Sequence, residues 1–326
     1  MLPALLRSCR EILIDSYRVI HTLFRVMIPA IIIVKLLTEL GAANWLGLVF
    51  APLMGWMGLP PEAGLIWASA MLTNIYTGVV IFFSTPGTEH WNIAQVTILG
   101  TLLLSAHNLP VELRVAQKAG CRIIPQLVLR VGGGILLGIL LHLVYQHSDA
   151  MQATNPVPWT PQTHDPGLAG WALSQLKTLL WTAVIIVLLL TALRLLRLLG
   201  VERVLEWLLR PVLRLIGIAP GALSITLIGM TLGLAYGGGL LIREAERGDI
   251  APTDIFAAIS LLGLCHSLIE DTLLVMLLGA ELSGILGARL AFALAVIALL
   301  SRTLHHPRWQ GLLVQSVARP RAGTEN

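Results

Sequence analysis

The chain has 326 residues, of which 56% are hydrophobic and 12% are charged, and its mean hydropathy is +0.80. This composition excludes a soluble globular domain and predicts an all-α integral membrane protein with several spans. The net charge of +4 is small, and the cationic residues cluster in particular loops, which is typical of membrane topology and excludes a nucleic-acid-binding surface.

Residues 1–20 carry charges throughout their length, so they lack the clean apolar core of a signal peptide. They predict an amphipathic N-terminal helix at the membrane surface. The three cysteines, Cys9, Cys121 and Cys265, show no C-x-x-C spacing. The sequence therefore predicts neither a disulfide framework nor a zinc knuckle, and no cofactor is expected.

Long apolar runs mark the membrane spans. They are predicted at 22–42, 62–84, 122–146, 171–193, 221–242 and 284–301. Two further segments, 92–119 and 252–280, are apolar but interrupted by polar residues. A polar linker at 147–170 separates two halves, 21–146 and 171–302, and a basic tail follows at 303–326.

The second half repeats the first with a separation of 159 positions (200 − 41). Five glycines and prolines carry the match: Gly41, Pro52, Gly58, Pro61 and Gly78 recur as Gly200, Pro211, Gly217, Pro220 and Gly237. Beyond a loop that we take to be four residues longer in the second copy, Leu99-Gly100 matches Leu262-Gly263. That register predicts His107 opposite Glu270 and Asn108 opposite Asp271.

The distribution of Lys and Arg predicts the topology. The N-terminal segment, residues 194–214 and the tail are basic and should be cytoplasmic, with residues 43–61 and the linker outside. The second copy is then inverted if each interrupted segment is a re-entrant hairpin. The sequence thus predicts two inverted repeats in the inner (plasma) membrane, each with three spans, a broken or re-entrant helical hairpin and an interfacial helix, 43–58 or 201–216.

The stretch 264–274 concentrates polar side chains inside an apolar run. It contains Cys265, His266, Ser267, Glu270, Asp271 and Thr272. Two adjacent carboxylates at membrane depth are costly, which favours a functional site facing a bundle interior or a wet cavity. A polar clamp between helices is the alternative. Binding of a divalent metal by Cys265, His266, Glu270 and Asp271 also stays open, because the ligand types suit it but their spacing is not specific.

The first half offers candidate partners for this stretch. Asn74 and Thr77 would share a helix face, and Tyr236 falls opposite Thr77 in the repeat. These residues could serve either in helix packing or in contact with a solute, and the sequence does not decide between the two roles. Ser267 and His266 are neighbours that would point in different directions on a helix, and there is no G-x-S-x-G motif, so no enzyme is predicted.

Loose motifs suggest a family. The first copy carries T-N-I-Y-T-G with A-H-N-L-P, and the second carries Y-G-G-G with C-H-S-L-I-E-D-T. With these motifs the chain resembles the nucleoside-recognition, or Gate-domain, membrane proteins. That domain is shared by B-type ferrous-iron transporters, concentrative nucleoside carriers and spore-maturation membrane proteins. The resemblance implies a pore or carrier made by two Gate-like halves. The GTPase domain of the iron transporters is not seen, so iron uptake is not implied.

Transport of a small polar solute or ion, nucleoside-like or a cation, is therefore the expected function. Glu270 and Asp271 would supply the charge for coupling to a proton or Na⁺, with His107, Asn108, Asn74 and Thr77 completing the site. The alternative is a non-transporting assembly or partner protein in which the polar cluster clamps helices. The expected partners are the lipid bilayer and the solute or cation, without nucleic acid; a homo-oligomer is left open.

Overall fold

The computed structural model describes residues 2–156, 167–304, 311, 313 and 314. In this part the backbone alone is described at 2–12, 42–48, 235–236 and 303–304. Its regular elements are helices, as expected for an all-α membrane protein. The central part of the predicted linker and most of the basic tail lie outside the described residues, and so does the side chain of Trp45 in the predicted interfacial helix.

The first half contains seven helices in the described residues. They are α1 (Leu2–Glu39), α2 (Ala42–Trp56), α3 (Glu62–Leu72), α4 (Ile75–Ser84), α5 (Ile93–Ser105), α6 (Leu109–Lys118) and α7 (Ile123–Ser148). A short 3-10 turn, Thr88–His90, precedes α5. Helix α1 is continuous, so the structure has no break between the predicted surface helix 1–20 and the first span.

The second half repeats this order. Its helices are α8 (Leu168–Leu198), α9 (Val201–Leu215), α10 (Pro220–Leu232), α11 (Leu234–Arg247), α12 (Pro252–Leu264), α13 (Glu270–Met276) and α14 (Arg289–Leu304). A π-helical turn, Ser283–Ala288, leads into α14. Helices α2 and α9 lie where interfacial helices were predicted. On α9, Leu209 and Leu213 are buried whereas Arg203, Arg210 and Arg214 are exposed.

Five stretches of the described residues are long and apolar enough to cross a membrane. They are Leu13–Glu39, Ile93–Lys118, Ile123–Ser148, Leu168–Leu198 and Ser283–Arg302. The stretch Ile93–Lys118 differs from the others because most of it is buried inside the protein. It contains α5 and α6, which together cross the bundle as one interrupted helix.

The predicted spans 62–84 and 221–242 are in fact hairpins. Helices α3 and α4 fold back on each other, so that a Cβ on Gly78 would lie 2.9 Å from the Cβ of Ala70. The equivalent Gly237 approaches the backbone of Gly229 between α10 and α11. Each of these helices has 10 to 14 residues, which is too short to cross a bilayer alone.

The interrupted segments 92–119 and 252–280 are the crossings, not the re-entrant hairpins, and on this point the sequence-based prediction was wrong. Gly134 and Gly138 of α7 face Ser105 and Ile98, so α7 runs antiparallel to α5. The chain continues from α5 through α6 in the same direction, because Arg130, earlier on α7, reaches His107 beyond the break. The hairpin and the broken crossing are thus exchanged in each half, and of the two broken segments Ile93–Lys118 is one of the five long apolar stretches.

The second half is inverted relative to the first. Gln126 of α7 donates to Ser260 Oγ of α12 at 2.8 Å, and Gly133 lies beside Leu264, so α12 runs parallel to α7 and opposite to α5. Where α13 ends, the Leu278 carbonyl accepts from Asn155 Nδ2 at 2.6 Å. Asn155 in turn bonds to Trp91, next to the start of α5, so the end of one broken crossing meets the start of the other.

Candidate functional site

Both broken crossings are interrupted at the same relative place. Helix α5 ends at Ser105 and α12 ends at Leu264, and each end is followed by a buried histidine two positions later, His107 or His266. The next residue, Asn108 or Ser267, has a φ of 50°. Non-glycine residues rarely adopt this left-handed conformation. It turns the chain and leaves backbone carbonyls near the break without helical partners.

Two buried arginines bind these free carbonyls. Arg130 donates from Nε to Ser105 O and from Nη2 to His107 O, both at 3.1 Å. Arg289 does the same for Leu264 O at 3.0 Å and His266 O at 3.1 Å. Each arginine is at most 2% exposed. Because a buried guanidinium needs partners, the two breaks and the two arginines stabilise one another.

The contacts correct the repeat register. Arg130 and Arg289, like His107 and His266, are separated by the same 159 positions as the glycines and prolines (266 − 107). Gly120 and Gly279, which both have a φ above 90°, extend this register past the breaks. The four-residue shift was therefore wrong. His107 lies opposite His266, not Glu270, because α5 and α12 begin at equivalent positions and the intervening loops need no net insertion.

The two histidines face each other between the repeats. Their ring centroids are 5.2 Å apart, with the planes tilted by 53°. In each ring Nδ1 lies at hydrogen-bond distance from the carbonyl four residues earlier, 2.7 Å from Leu103 O and 2.6 Å from Leu262 O. A carbonyl oxygen only accepts, so each Nδ1 carries the hydrogen and each Nε2 points towards the centre of the site.

One carboxylate from each repeat completes the centre. Glu112 Oε1 lies 3.4 Å from His107 Nε2 and 3.5 Å from His266 Nε2. Asp271 Oδ2 lies 3.7 and 3.9 Å from the same two nitrogens. The four side chains are at most 10% exposed. We call these four residues, His107, Glu112, His266 and Asp271, the central cluster.

The acids of the central cluster differ in how they meet the arginines. Arg130 Nη1 and Glu112 Oε2 are 2.5 Å apart, a close contact between opposite charges. Asp271 is the repeat equivalent of Glu112 but has one methylene fewer. Among the described residues, the ion pairs of Asp271 are with the two histidines, and none is with Arg289. The ion pair is therefore completed in the first repeat and left open in the second.

A third carboxylate lies beside the cluster. Glu270 is only partly buried, and Tyr76, from the start of α4, donates its hydroxyl to Glu270 Oε1 at 3.2 Å. This bond joins the hairpin of the first repeat to the broken crossing of the second. Thr272 is buried nearby, and its hydroxyl has no hydrogen-bond partner in the described part of the chain.

The other predicted site residues have local roles. Asn74 lies at the tip of the hairpin, outside the helix, so it does not share a helix face with Thr77 as expected. Instead its side-chain oxygen accepts from the Thr77 amide at 3.0 Å and caps α4. Ser267 Oγ accepts a 3.4 Å bond from the Asp271 amide. The side chain of Tyr236 lies outside the described residues.

The potential metal ligands that converge are His107, His266 and Asp271. Cys265 is buried but does not belong to this group. Two of the four metal ligands considered from sequence, His266 and Asp271, thus belong to the convergence. Sequence reasoning missed Glu112, Arg130, Arg289 and Tyr76. The undisturbed register of 159 positions was the signal for the first three, because it aligns Glu112 with Asp271 and Arg130 with Arg289.

The central cluster combines two imidazoles with two carboxylates in a site shared by both repeats. Such a group can exchange protons or hold a cation.

Comparison with known proteins agrees with the membrane character. The chain is 28% identical over 298 residues to the uncharacterized membrane protein YvoD of Bacillus subtilis (strain 168), an alignment that covers 88% of this chain and 92% of that protein. No family model matches the chain, and no solved structure matches it. The several apolar helices and this similarity together identify the chain as a multi-spanning α-helical membrane protein.

Proposed function

We propose that this protein moves a small polar solute or ion across the inner membrane, using the buried carboxylates to bind or couple the cargo. The observation that carries the proposal is the convergence of His107, Glu112, His266 and Asp271 from both repeats at two helix breaks. Ionisable groups inside a membrane are expensive and typically mark ion or solute paths.

The architecture supports the same function. Inverted repeats with interrupted helices meeting near the middle of the bundle are a recurrent plan among secondary transporters. In this proposal the two hairpins, α3–α4 and α10–α11, lie beside the site and gate it, and both termini are cytoplasmic. The Gate-domain resemblance, which implies a carrier built from two halves, is in accord with this plan. The cluster binds and releases cargo and catalyses no reaction.

A static clamp is the second candidate, and one observation favours it. The contact between Arg130 and Glu112, with the arginine also bound to two carbonyls, ties α7 to both parts of the broken crossing. Glu270 distinguishes the candidates, since it is a partly exposed carboxylate whose described bond is to a tyrosine hydroxyl. A clamp has no need of this additional charge.

Isosteric substitutions test the proposal. Glu270→Gln and Asp271→Asn remove charge but keep shape and hydrogen-bonding capacity. For a clamp, these changes should be mild or stabilising, because burying a charge is the costly part. For a transporter, they should abolish coupled flux in a protein that still folds and inserts. The measurements are thermal stability in detergent and pH-dependent uptake or growth. Unchanged function in both single variants and the double variant would reject coupling through these acids.

A further inference from the structure

We propose that the central cluster binds one divalent transition-metal ion with tetrahedral preference, for which Zn²⁺ is the best match. This names the class of cargo and, in that respect, rests on the proposed function, whereas the binding site itself is argued from geometry alone. The ligand atoms are His107 Nε2, His266 Nε2 and Asp271 Oδ2, and Glu112 Oε1 lies beside the two imidazole nitrogens.

The three ligand atoms, and Glu112 Oε1 beside them, are all acceptors. The hydrogen of each neutral imidazole is committed at Nδ1 to the carbonyl of Leu103 or Leu262, which leaves a lone pair on Nε2. The facing carboxylate oxygens also carry lone pairs. Four acceptors that lie close together in a buried place repel one another unless a cation or protons lie between them.

The distances within the cluster also indicate a shared ion. The contacts of 3.4 to 3.9 Å between Nε2 and carboxylate atoms exceed the usual range of about 2.7–3.2 Å for a direct N–H···O bond. Ligands at about 2.0–2.2 Å from a tetrahedral zinc ion are separated from one another by roughly 3.4 Å. The ligand atoms of His107, His266 and Asp271 all lie within 4.8 Å of one another. The spacing therefore fits ligands around a shared ion better than ligands bonded to each other.

The outer contacts of the two histidines resemble those of metal-binding histidines. Metal-binding histidines usually donate their other ring N–H to a carbonyl or carboxylate, which fixes the orientation of the ring. Both histidines do so here, at 2.7 and 2.6 Å. Arg130 contacts the second oxygen of Glu112 and leaves Oε1 facing the centre. The outer contacts thus orient the lone pairs of both histidines towards the centre of the site.

Charge is compatible with a divalent ion. Around the centre lie the carboxylates of Glu112, Glu270 and Asp271 and the guanidinium groups of Arg130 and Arg289. With neutral histidines their formal charges leave one excess negative charge. A bound divalent cation then changes the net charge from −1 to +1. Soft thiolate ligands are not required, since imidazole and carboxylate suit Zn²⁺.

The test is metal binding by the whole protein, purified in detergent with a tag that contains no histidine. We expect about one Zn²⁺ per chain by elemental analysis after dialysis. We also expect Co²⁺ loading to give the intense visible absorption of a tetrahedral site. His107→Ala, His266→Ala and Asp271→Asn should each lower the affinity at least about tenfold, since even outer contacts of metal sites have effects of this size.

Cys265→Ser is the matched control, because Cys265 is buried beside His266 but contributes no atom to the convergence. It should bind Zn²⁺ like the unchanged protein. X-ray absorption of the Zn²⁺-loaded unchanged protein needs no variant and covers the case in which a histidine variant fails to fold. It should report imidazole and oxygen ligands only. A sulfur ligand, octahedral Co²⁺ or no retained metal would overturn the site as described.

Flux separates this inference from the proposed function. If Zn²⁺ binds to the cluster but does not enter proteoliposomes, the metal site is supported and transport of that ion is contradicted. Uptake of another solute that depends on Asp271, in a protein that binds no Zn²⁺ or Co²⁺, would keep transport and reject the metal site.

Discussion

Arg130 and Arg289 hold the same broken end of a helix in the two halves of the chain. Each donates from Nε to the carbonyl two residues before a histidine and from Nη2 to the carbonyl of that histidine, at distances of 3.0 to 3.1 Å. Arg289 also reaches Leu104 O in the other repeat at 3.1 Å. The arginines therefore determine where both histidines point, and the central cluster depends on them.

The contact between Arg130 and Glu112 predicts a strong and partly rescuable loss of stability. Arg130→Met leaves a buried carboxylate uncompensated and should cost about 3–5 kcal/mol. Adding Glu112→Gln should recover part of that loss, because the unpaired charge is removed while the carbonyls at the break stay unsatisfied. Thermal unfolding in detergent measures both. Arg210→Met, on the exposed face of α9, is the control and should change stability by less than about 0.5 kcal/mol. An equal loss in the single and double variants would contradict the role of the ion pair.

The bond between Tyr76 and Glu270 predicts coupling between the first hairpin and the second broken crossing. Tyr76→Phe should cost about 1–3 kcal/mol, as expected for a hydrogen bond to a charged acceptor. In a chain that already carries Glu270→Ala, Tyr76→Phe should cost less than it does in the unchanged chain. The difference is a coupling energy of about 0.5–3 kcal/mol in a double-mutant cycle. Strictly additive effects would show that the bond does not contribute to stability.

The close approach at Gly237 predicts that the second hairpin does not tolerate a side chain there. A Cβ at Gly237 would collide with the backbone of Gly229, so Gly237→Ala should destabilise by about 1–3 kcal/mol. Gly239 lies in the same helix, and a Cβ there meets nothing within 4 Å. Gly239→Ala should be neutral or stabilise by up to about 1 kcal/mol. The two variants are compared by thermal unfolding, and the reverse order would mean that the hairpin packs differently.

The inverted arrangement predicts labelling from opposite sides of the membrane. Ala119 and Ala280 follow the two broken crossings, but both are buried, so their exposed neighbours Lys118 and Glu281 are better probes. In a chain without its native cysteines, Lys118→Cys should react with a membrane-impermeant reagent from one side and Glu281→Cys from the other. Intact cells and inside-out vesicles provide the comparison. Reaction of both from the same side would mean that the repeats are parallel.

Much of the fold follows from local signals in the sequence. The charged and apolar faces of α9 and the polar interruption after Ser105 were readable, because amphipathic period and helix-breaking residues act locally. The sequence did not show which segments cross the membrane and which fold back as hairpins. The run 62–84 is almost continuously apolar, and it folds back because Gly78 packs against Ala70, a tertiary contact that composition does not encode. The stronger polar break at His107 belongs instead to a crossing.

The site was only partly predictable for a related reason. Glu270 and Asp271 stand out in an apolar run, whereas Glu112 and Arg130 lie in stretches that also contain Arg114, Lys118 and Arg122 and resemble ordinary loop charges. Their burial arises from packing of α6 and α7 against the second repeat. A repeat register without an insertion aligns them with Asp271 and Arg289 from the sequence alone.

The single methylene that separates Glu112 from Asp271 gives the site a polarity. An assembly of two identical half-length chains would have to place the same acid on both sides of the histidines. One continuous chain can let the two copies diverge, and here the longer acid forms an ion pair with its arginine while the shorter one forms none with Arg289 among the described residues. The two sides of the histidine pair are therefore chemically unequal, an asymmetry that a fused duplication can carry and a symmetric pair of identical halves cannot.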